Sequence, residues 1–245
     1  MNQAEVRSYY QRPEHAGEQY SGRRFASAGG RAVSERELLP FREWIKLGPG
    51  QRMLDCGSGA GRVLSALPPE SRARALALDG SQAMLEHLRQ ALPGVRTVYG
   101  DLFTYETAER FDVVTSLRVL DHFGLEDQET LLRRLAGFLA PGGKMVVSVL
   151  TGPTLESLAN RFARVGKMNY FHTRSAYRRL FERCGLRALR TFNAFVLPRG
   201  LLYRLPGALV GAAMAWDRLA GVLLPPLCSY MIVELTAEKS PSCAS

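Results

Sequence analysis

Met53-Leu54-Asp55-Cys56-Gly57-Ser58-Gly59-Ala60-Gly61 is a short apolar run that breaks into glycines, the pattern of a strand turning into a helix. Arg52 to Cys56 reads as the first strand. In open α/β sheets ligands bind outside the carboxyl ends of the strands, and glycines at such a turn let a ligand lie against bare backbone. The dinucleotide pattern GxGxxG is not met, because Arg62 stands at its third glycine, and this weakens a nicotinamide or flavin reading. A tight strand-to-helix connection without a ligand is the alternative for the loop taken alone.

Working outward, short apolar runs alternate with amphipathic segments, the signature of a mostly parallel sheet covered by helices. Residues 73–79, 95–99, 111–116 and 144–150 read as strands two to five. Ser81 can cap a helix with Met84, Leu85, Leu88 and Leu92 on one face. Residues 126–140 repeat the pattern, with Pro141-Gly142-Gly143 as the stop, and residues 173–184 form another helix with Arg174, Arg178 and Arg183 outward. At 245 residues the chain fits one large α/β domain. About forty-five polar, helical residues precede it, giving a helical cap over 1–46 and a ligand-binding domain over 47–245.

Hydrophobic residues make up 46% and charged residues 22%, as in a soluble globular protein. The first residues lack the apolar core of a secretory signal, and Cys56, Cys184, Cys228 and Cys243 show no CxxC spacing, so reduced thiols and a cytoplasmic setting are expected. The net charge of +9 raises a nucleic-acid reading. Arginine outnumbers lysine 28 to 4, and only residues 153–190 concentrate it, with nine basic residues against Glu156 and Glu182. Because those arginines lie opposite an apolar stripe, a solvated helix face explains them better than a binding patch.

Two further acids extend the site. Asp79 closes the second strand, twenty-four residues after Asp55, where a carboxylate can accept bonds from both ribose hydroxyls. Asp101 closes the third, where it could accept a bond from an adenine amino group, with Leu102 and Phe103 beside the ring. Carboxylates at three successive strand ends describe an adenosine-shaped site.

Over residues 35–190 the chain resembles the class I S-adenosylmethionine (SAM)-dependent methyltransferases, in the branch holding the ubiquinone and menaquinone biosynthesis methyltransferases and many small-molecule enzymes. Residues 53–61 resemble the family's first motif, Leu78-Asp79-Gly80-Ser81-Gln82-Ala83-Met84-Leu85 the second, Gly100-Asp101-Leu102 the adenine position, Phe111 to Ser116 the fourth-strand motif and Leu139 to Lys144 the turn before strand five. The resemblance implies a Rossmann-like doubly wound sheet of seven strands in the order 3-2-1-4-5-7-6 with strand seven antiparallel, strands six and seven lying near 187–196 and 228–236. It implies SAM as cofactor and S-adenosylhomocysteine as product, held by Tyr20, Arg24, Asp55, Gly57, Ser58, Gly59, Asp79, Gly80, Ser81, Met84, Asp101, Leu102, Phe103, Ser116 and Leu117. Tyr20 and Arg24, with Arg23, stand for the family's helix over the cofactor.

Arg118-Val119-Leu120-Asp121-His122 falls where the family places acceptor-facing residues. His122 is the candidate general base, Asp121 the group that fixes its tautomer, and Arg118 an attractor for an anionic substrate group. The bland reading is a structural histidine, since a sulfonium already carries an activated methyl and proximity suffices. In similar catechol O-methyltransferases the segment reads Glu-Val-Leu-Glu-His and holds a metal; Arg118 in place of the first Glu argues against one.

The expected acceptor is small or lipid-like. A base-methylating enzyme is disfavoured because Ser116-Leu117-Arg118-Val119 replaces the Asn/Asp-Pro-Pro-aromatic signature after strand four. A non-catalytic SAM-binding scaffold and a nicotinamide oxidoreductase are the other readings. Residues 195–227 are strongly apolar but broken by four prolines, with an insertion at about 198–227 between strands six and seven. Phe195, Leu197, Leu201, Tyr203, Trp216 and Leu219 there suit a substrate lid, a dimer contact, a peripheral membrane face or ordinary core. Monomer and homodimer are both open.

Overall fold

A computed structural model of the chain describes residues 5, 6, 8, 9, 25–162 and 169–238. Seven strands form one sheet: β1 Met53–Cys56, β2 Ala75–Asp79, β3 Arg96–Tyr99, β4 Phe111–Ser116, β5 Leu139–Leu150, β6 Leu186–Ala194 and β7 Tyr230–Ala237. Their order is β3-β2-β1-β4-β5-β7-β6, as expected. β7 pairs antiparallel with both β5 and β6, and the remaining pairs are parallel. β6 therefore runs with β5, and its carboxyl end lies at the same sheet edge as those of β1 to β5.

Both faces of the central strands are covered, which is why their sequences are almost continuously apolar. Met53, Ala75, Ala77, Val113, Val146 and Ile232 enter one core cluster, while Leu54, Leu76, Leu78, Val114, Val147 and Val233 enter the other. Helix α1, Ala28–Trp44, starts at Ser27, whose hydroxyl accepts the Gly30 N–H. Its Val33, Phe41 and Trp44 lie in the first cluster, so α1 packs directly on the sheet.

The glycine turn leads into the short helices α2, Arg62–Ser65, and α3, Pro69–Arg72. Helix α4, Gln82–Ala91, is capped by the Ser81 side chain and buries Met84, Leu85 and Leu88. Helix α5, Leu125–Gly137, has Glu126 and Asp127 in its first turn, where the helix dipole favours acids. β5 begins at Leu139 and not at Lys144, because Leu139 already pairs with Phe111 ahead of a register shift, which draws the Pro-Gly-Gly turn into the strand. Helices α6, Leu155–Phe162, and α7, Arg174–Arg183, follow. Arg178 and Arg183 face outward as expected, but Arg174 does not. It turns in to donate to Asn193 Oδ1 at 2.6 Å and Pro225 O at 2.6 Å, so its positive charge ties α7 to the sheet edge.

Between β6 and β7 lie α8, Arg199–Leu202, and α9, Gly207–Leu223. Asp217 of α9 is fully buried; its carboxylate accepts the backbone N–H groups of Phe195 at 3.2 Å and Leu197 at 3.0 Å and lies 3.9 Å from Arg36 Nε. Phe195 holds φ at 66°, a costly conformation for a bulky residue, and this lock maintains it. Asp217→Ala would orphan two amides and a guanidinium, and it should lower unfolding free energy by about 2–5 kcal/mol in urea titrations, whereas Asp217→Asn should lose markedly less. Equal loss in both variants would show that the carboxylate does not hold this segment.

Candidate active site

Asp55 is buried at the end of β1. Thr115 Oγ1 donates to its Oδ1 at 2.6 Å, while Oδ2 has no hydrogen-bond partner. Burial pushes the carboxyl up to about 7, against the Thr115 hydrogen bond and with a further push from Asp79. Beyond it, Gly57, Gly59 and Gly61 hold φ at 70°, 52° and 84°, all in the left-handed region. A Cβ on Gly57 would sit 2.3 Å from Val119 Cγ2, so the loop after β4 closes on bare backbone.

Asp79 ties this loop to the second strand end. Its Oδ2 accepts the Gly59 N–H at 2.7 Å and its Oδ1 the Ser81 N–H at 2.8 Å. Burial raises its pKa and these two backbone bonds oppose the rise. Each oxygen keeps a second lone pair, so the carboxylate can still accept a ligand hydroxyl. Asp101 Oδ1 accepts the Phe103 N–H at 3.0 Å, which sets the Leu102-Phe103 turn, and Phe103 meets Phe123 edge to face at 5.1 Å.

These groups line one cavity of about 290 Å³ at the carboxyl edge of the sheet, near the lower end of small-molecule sites. Asp55, Gly57, Ser58, Gly59, Asp79, Gly80 and Met84 form one part of its wall, and Asp101, Leu102, Phe103, Leu117, Arg118 and His122 another. Three expected residues lie outside the lining. Ser81 is spent on capping α4, Ser116 is buried with its hydroxyl on Cys56 O at 3.1 Å, and Asp121 is buried within the 3-10 turn Leu120–His122. Tyr20 and Arg24 lie outside the described residues. No described residue of 195–227 lines the cavity, so this segment is not a lid over it in this structure.

The acceptor end departs from its sequence reading in two ways. Neither carboxylate oxygen of Asp121 has a hydrogen-bond partner, so Asp121 does not fix the His122 ring. Arg118 does line the cavity, but its Nη1 is 2.7 Å from Glu37 Oε1 in a buried ion pair, with its backbone at φ 59° and its N–H on Ser148 Oγ at 2.7 Å. Glu37 also meets Arg62 at 2.9 Å and Arg199 at 3.3 Å. Burial alone would raise its pKa, yet the three guanidiniums outweigh burial and bring it down to about 2. Arg199 in turn holds Glu156 at 2.8 Å, and Glu156 accepts Ser229 Oγ at 2.6 Å.

Glu37, Arg62 and Arg199 of the ion cluster, and Val119 and Phe123 of the lining, are among the residues that sequence reasoning missed. A carboxylate at position 37 of the stripe Val33, Glu37, Phe41, Trp44 was the available signal, because an acid on a buried helix face needs cations. Arg62, noted as a missing glycine, is one of those cations.

A methyltransferase-domain family model matches residues 53–143. The chain is 38% identical over 97 residues to trans-aconitate 2-methyltransferase of Methylobacterium radiotolerans, covering 39% of this chain and 36% of that protein. It is 31% identical over 107 residues to ubiquinone biosynthesis O-methyltransferase of Pseudomonas fluorescens, covering 41% and 45%. The matches thus span less than half the length of either relative. Among solved structures, magnesium protoporphyrin IX methyltransferase of Synechocystis PCC 6803 with bound S-adenosylhomocysteine superposes with a TM-score of 0.67 at 16% identity, over 97% of this chain and 100% of that one. A putative methyltransferase of Haloferax volcanii, in complex with its Trm112 activator, gives 0.66 at 18% identity, over 96% and 98%. With the glycine turn, the strand-end acids and the strand order all in place, residues 53–143 match a methyltransferase domain, and the whole sheet has the fold of methyltransferases of known structure.

Proposed function

We propose that this cleft binds SAM and transfers its methyl group to a small-molecule or lipid-like acceptor. The observation that carries the reading is the orphaned Oδ2 of Asp55, a buried carboxyl at the start of the glycine turn, in a cleft that Asp79 and Asp101 also line. A buried carboxylate oxygen without a partner can take a cationic or donor group from a ligand. The ammonium of the cofactor's amino-acid part answers it, Asp79 offers lone pairs for the ribose, and Asp101 with Leu102 and Phe103 frames the base. The cofactor supplies a methyl already activated on a sulfonium, so this chain's task is to orient the acceptor and exclude water.

At the acceptor end Leu117, Val119, Phe103 and Phe123 give an apolar wall, with His122 and the Glu37-paired Arg118 as its polar groups. This composition suits an acceptor with an apolar body and one polar group near the reacting atom. His122 is the group placed to take a proton from it. The names of the two relatives point the same way, since both act on compounds smaller than a macromolecule. Several exposed arginines are neutralised by acids of the chain: Arg183 and Arg133 share Glu129, Arg52 and Arg96 share Glu109, and Arg190 holds Glu234.

Asp79→Ala should weaken S-adenosylhomocysteine binding about 10- to 100-fold by calorimetry, the loss expected for charge-assisted hydrogen bonds. Unchanged affinity would remove the cofactor reading. For Asp55 the folded pKa is raised, so the protonated form is favoured below about 7 and the ligand-free protein loses stability from this group as pH rises from about 4 to about 7. A bound ammonium reverses the preference. Affinity should therefore fall as pH drops below about 7, by up to about tenfold per unit, and Asp55→Asn should flatten that dependence. His122→Ala should keep cofactor affinity and lower kcat about 100-fold or more on the true acceptor, identified by methyl transfer to panels of hydroxylated aromatics, carboxylic acids and isoprenoid lipids. Full turnover in that variant would leave His122 as a structural side chain.

A further inference from the structure

Helix α9 is apolar on both sides. Val210, Met214, Asp217 and Gly221 face inward, and this inner face is closed by the Asp217 lock. On the opposite side Leu209, Ala212, Trp216, Leu219 and Leu223 recur at i, i+3, i+7, i+10 and i+14, a stripe about 21 Å long that faces solvent. Trp216 is 52% exposed, Leu219 60% and Leu223 66%, with Val222 at 75% beside them. A surface helix normally turns charge outward, and here Arg218 is the only charge on the outer side of α9. The stripe is too short and interrupted to span a bilayer, and no described helix is long and apolar enough to cross one.

Charge decides what covers it. Between Glu182 and Glu234 the sequence holds a single acid, Asp217, and that acid is buried. Arg204, just before α9, and Arg218 within it are exposed. A second copy of the chain would bring the same patch against itself, setting these arginines opposite one another with no carboxylate to pair them. An anionic lipid surface supplies the missing charge, and an exposed tryptophan amid leucines suits the headgroup boundary. We propose that the outer face of α9 lies on an anionic membrane surface. The segment leaves β6 and re-enters β7 at the carboxyl edge of the sheet, the edge that also carries the cleft.

The test floats the full-length protein with vesicles of phosphatidylcholine alone or mixed with phosphatidylglycerol. The protein should partition to the mixed vesicles about tenfold better, as expected when lipid charge adds to apolar contact. Trp216 emission should shift to the blue on binding; the other tryptophan, Trp44, is already buried and serves as the constant background. Leu219→Glu with Val222→Glu should abolish flotation while leaving S-adenosylhomocysteine affinity unchanged, which shows that the variant is folded and reads the cofactor site separately. Arg218→Glu keeps the stripe and should erase the preference for phosphatidylglycerol. No flotation with either vesicle, flotation that survives the double substitution, or a lipid-free dimer that the double substitution disperses would overturn the proposal.

Discussion

The pairing of buried Glu37 with Arg62, Arg118 and Arg199 is the constraint around which the carboxyl edge of the sheet is arranged. One carboxylate on α1 thereby joins the helix after the glycine turn, the loop after β4 and the segment after β6, and Arg199 extends the junction through Glu156 to Ser229 ahead of β7. A buried ion cluster is weak evidence for net stability, because desolvation offsets most of the attraction. Its strength lies in the penalty for breaking it: any rearrangement that withdraws one member strands a charge away from water. That penalty sets the geometry of the acceptor end, including the left-handed backbone at Arg118.

Two buried carboxylates of this chain are driven in opposite directions. Glu37 is satisfied from within the chain and stays ionised far into acid. Asp55 has one hydroxyl partner and a bare second oxygen, so burial leaves it near neutrality in its pKa. Of the two, the satisfied Glu37 builds the framework, and Asp55, which lines the cleft, keeps an oxygen for a ligand. The contrast separates the framework of the cleft from its binding surface, and it moves Arg118 from the second class to the first.

The connection between β6 and β7 follows a different logic. Its inner side is fastened by Asp217 and its outer side carries an apolar stripe with only arginines for charge. It leaves the sheet at β6, the edge strand away from the cleft, and none of its described residues lines the cavity.

By itself the sequence determined the strands that face two covers, the glycine turn and the acids that close β1, β2 and β3, since these depend on patterns of two to four residues and on where a strand stops. β4 was legible to the residue; β5 was not, because its early start at Leu139 depends on pairing with Phe111. Only the tertiary structure decided the partners of the charges. Glu37 finds its arginines 25, 81 and 162 residues away, Asp121 makes no side-chain hydrogen bond to its neighbour His122, and Arg174 turns inward. The physical reason is that a charge is assigned its role by what desolvates it and what answers it, and both come from segments that the local pattern does not connect.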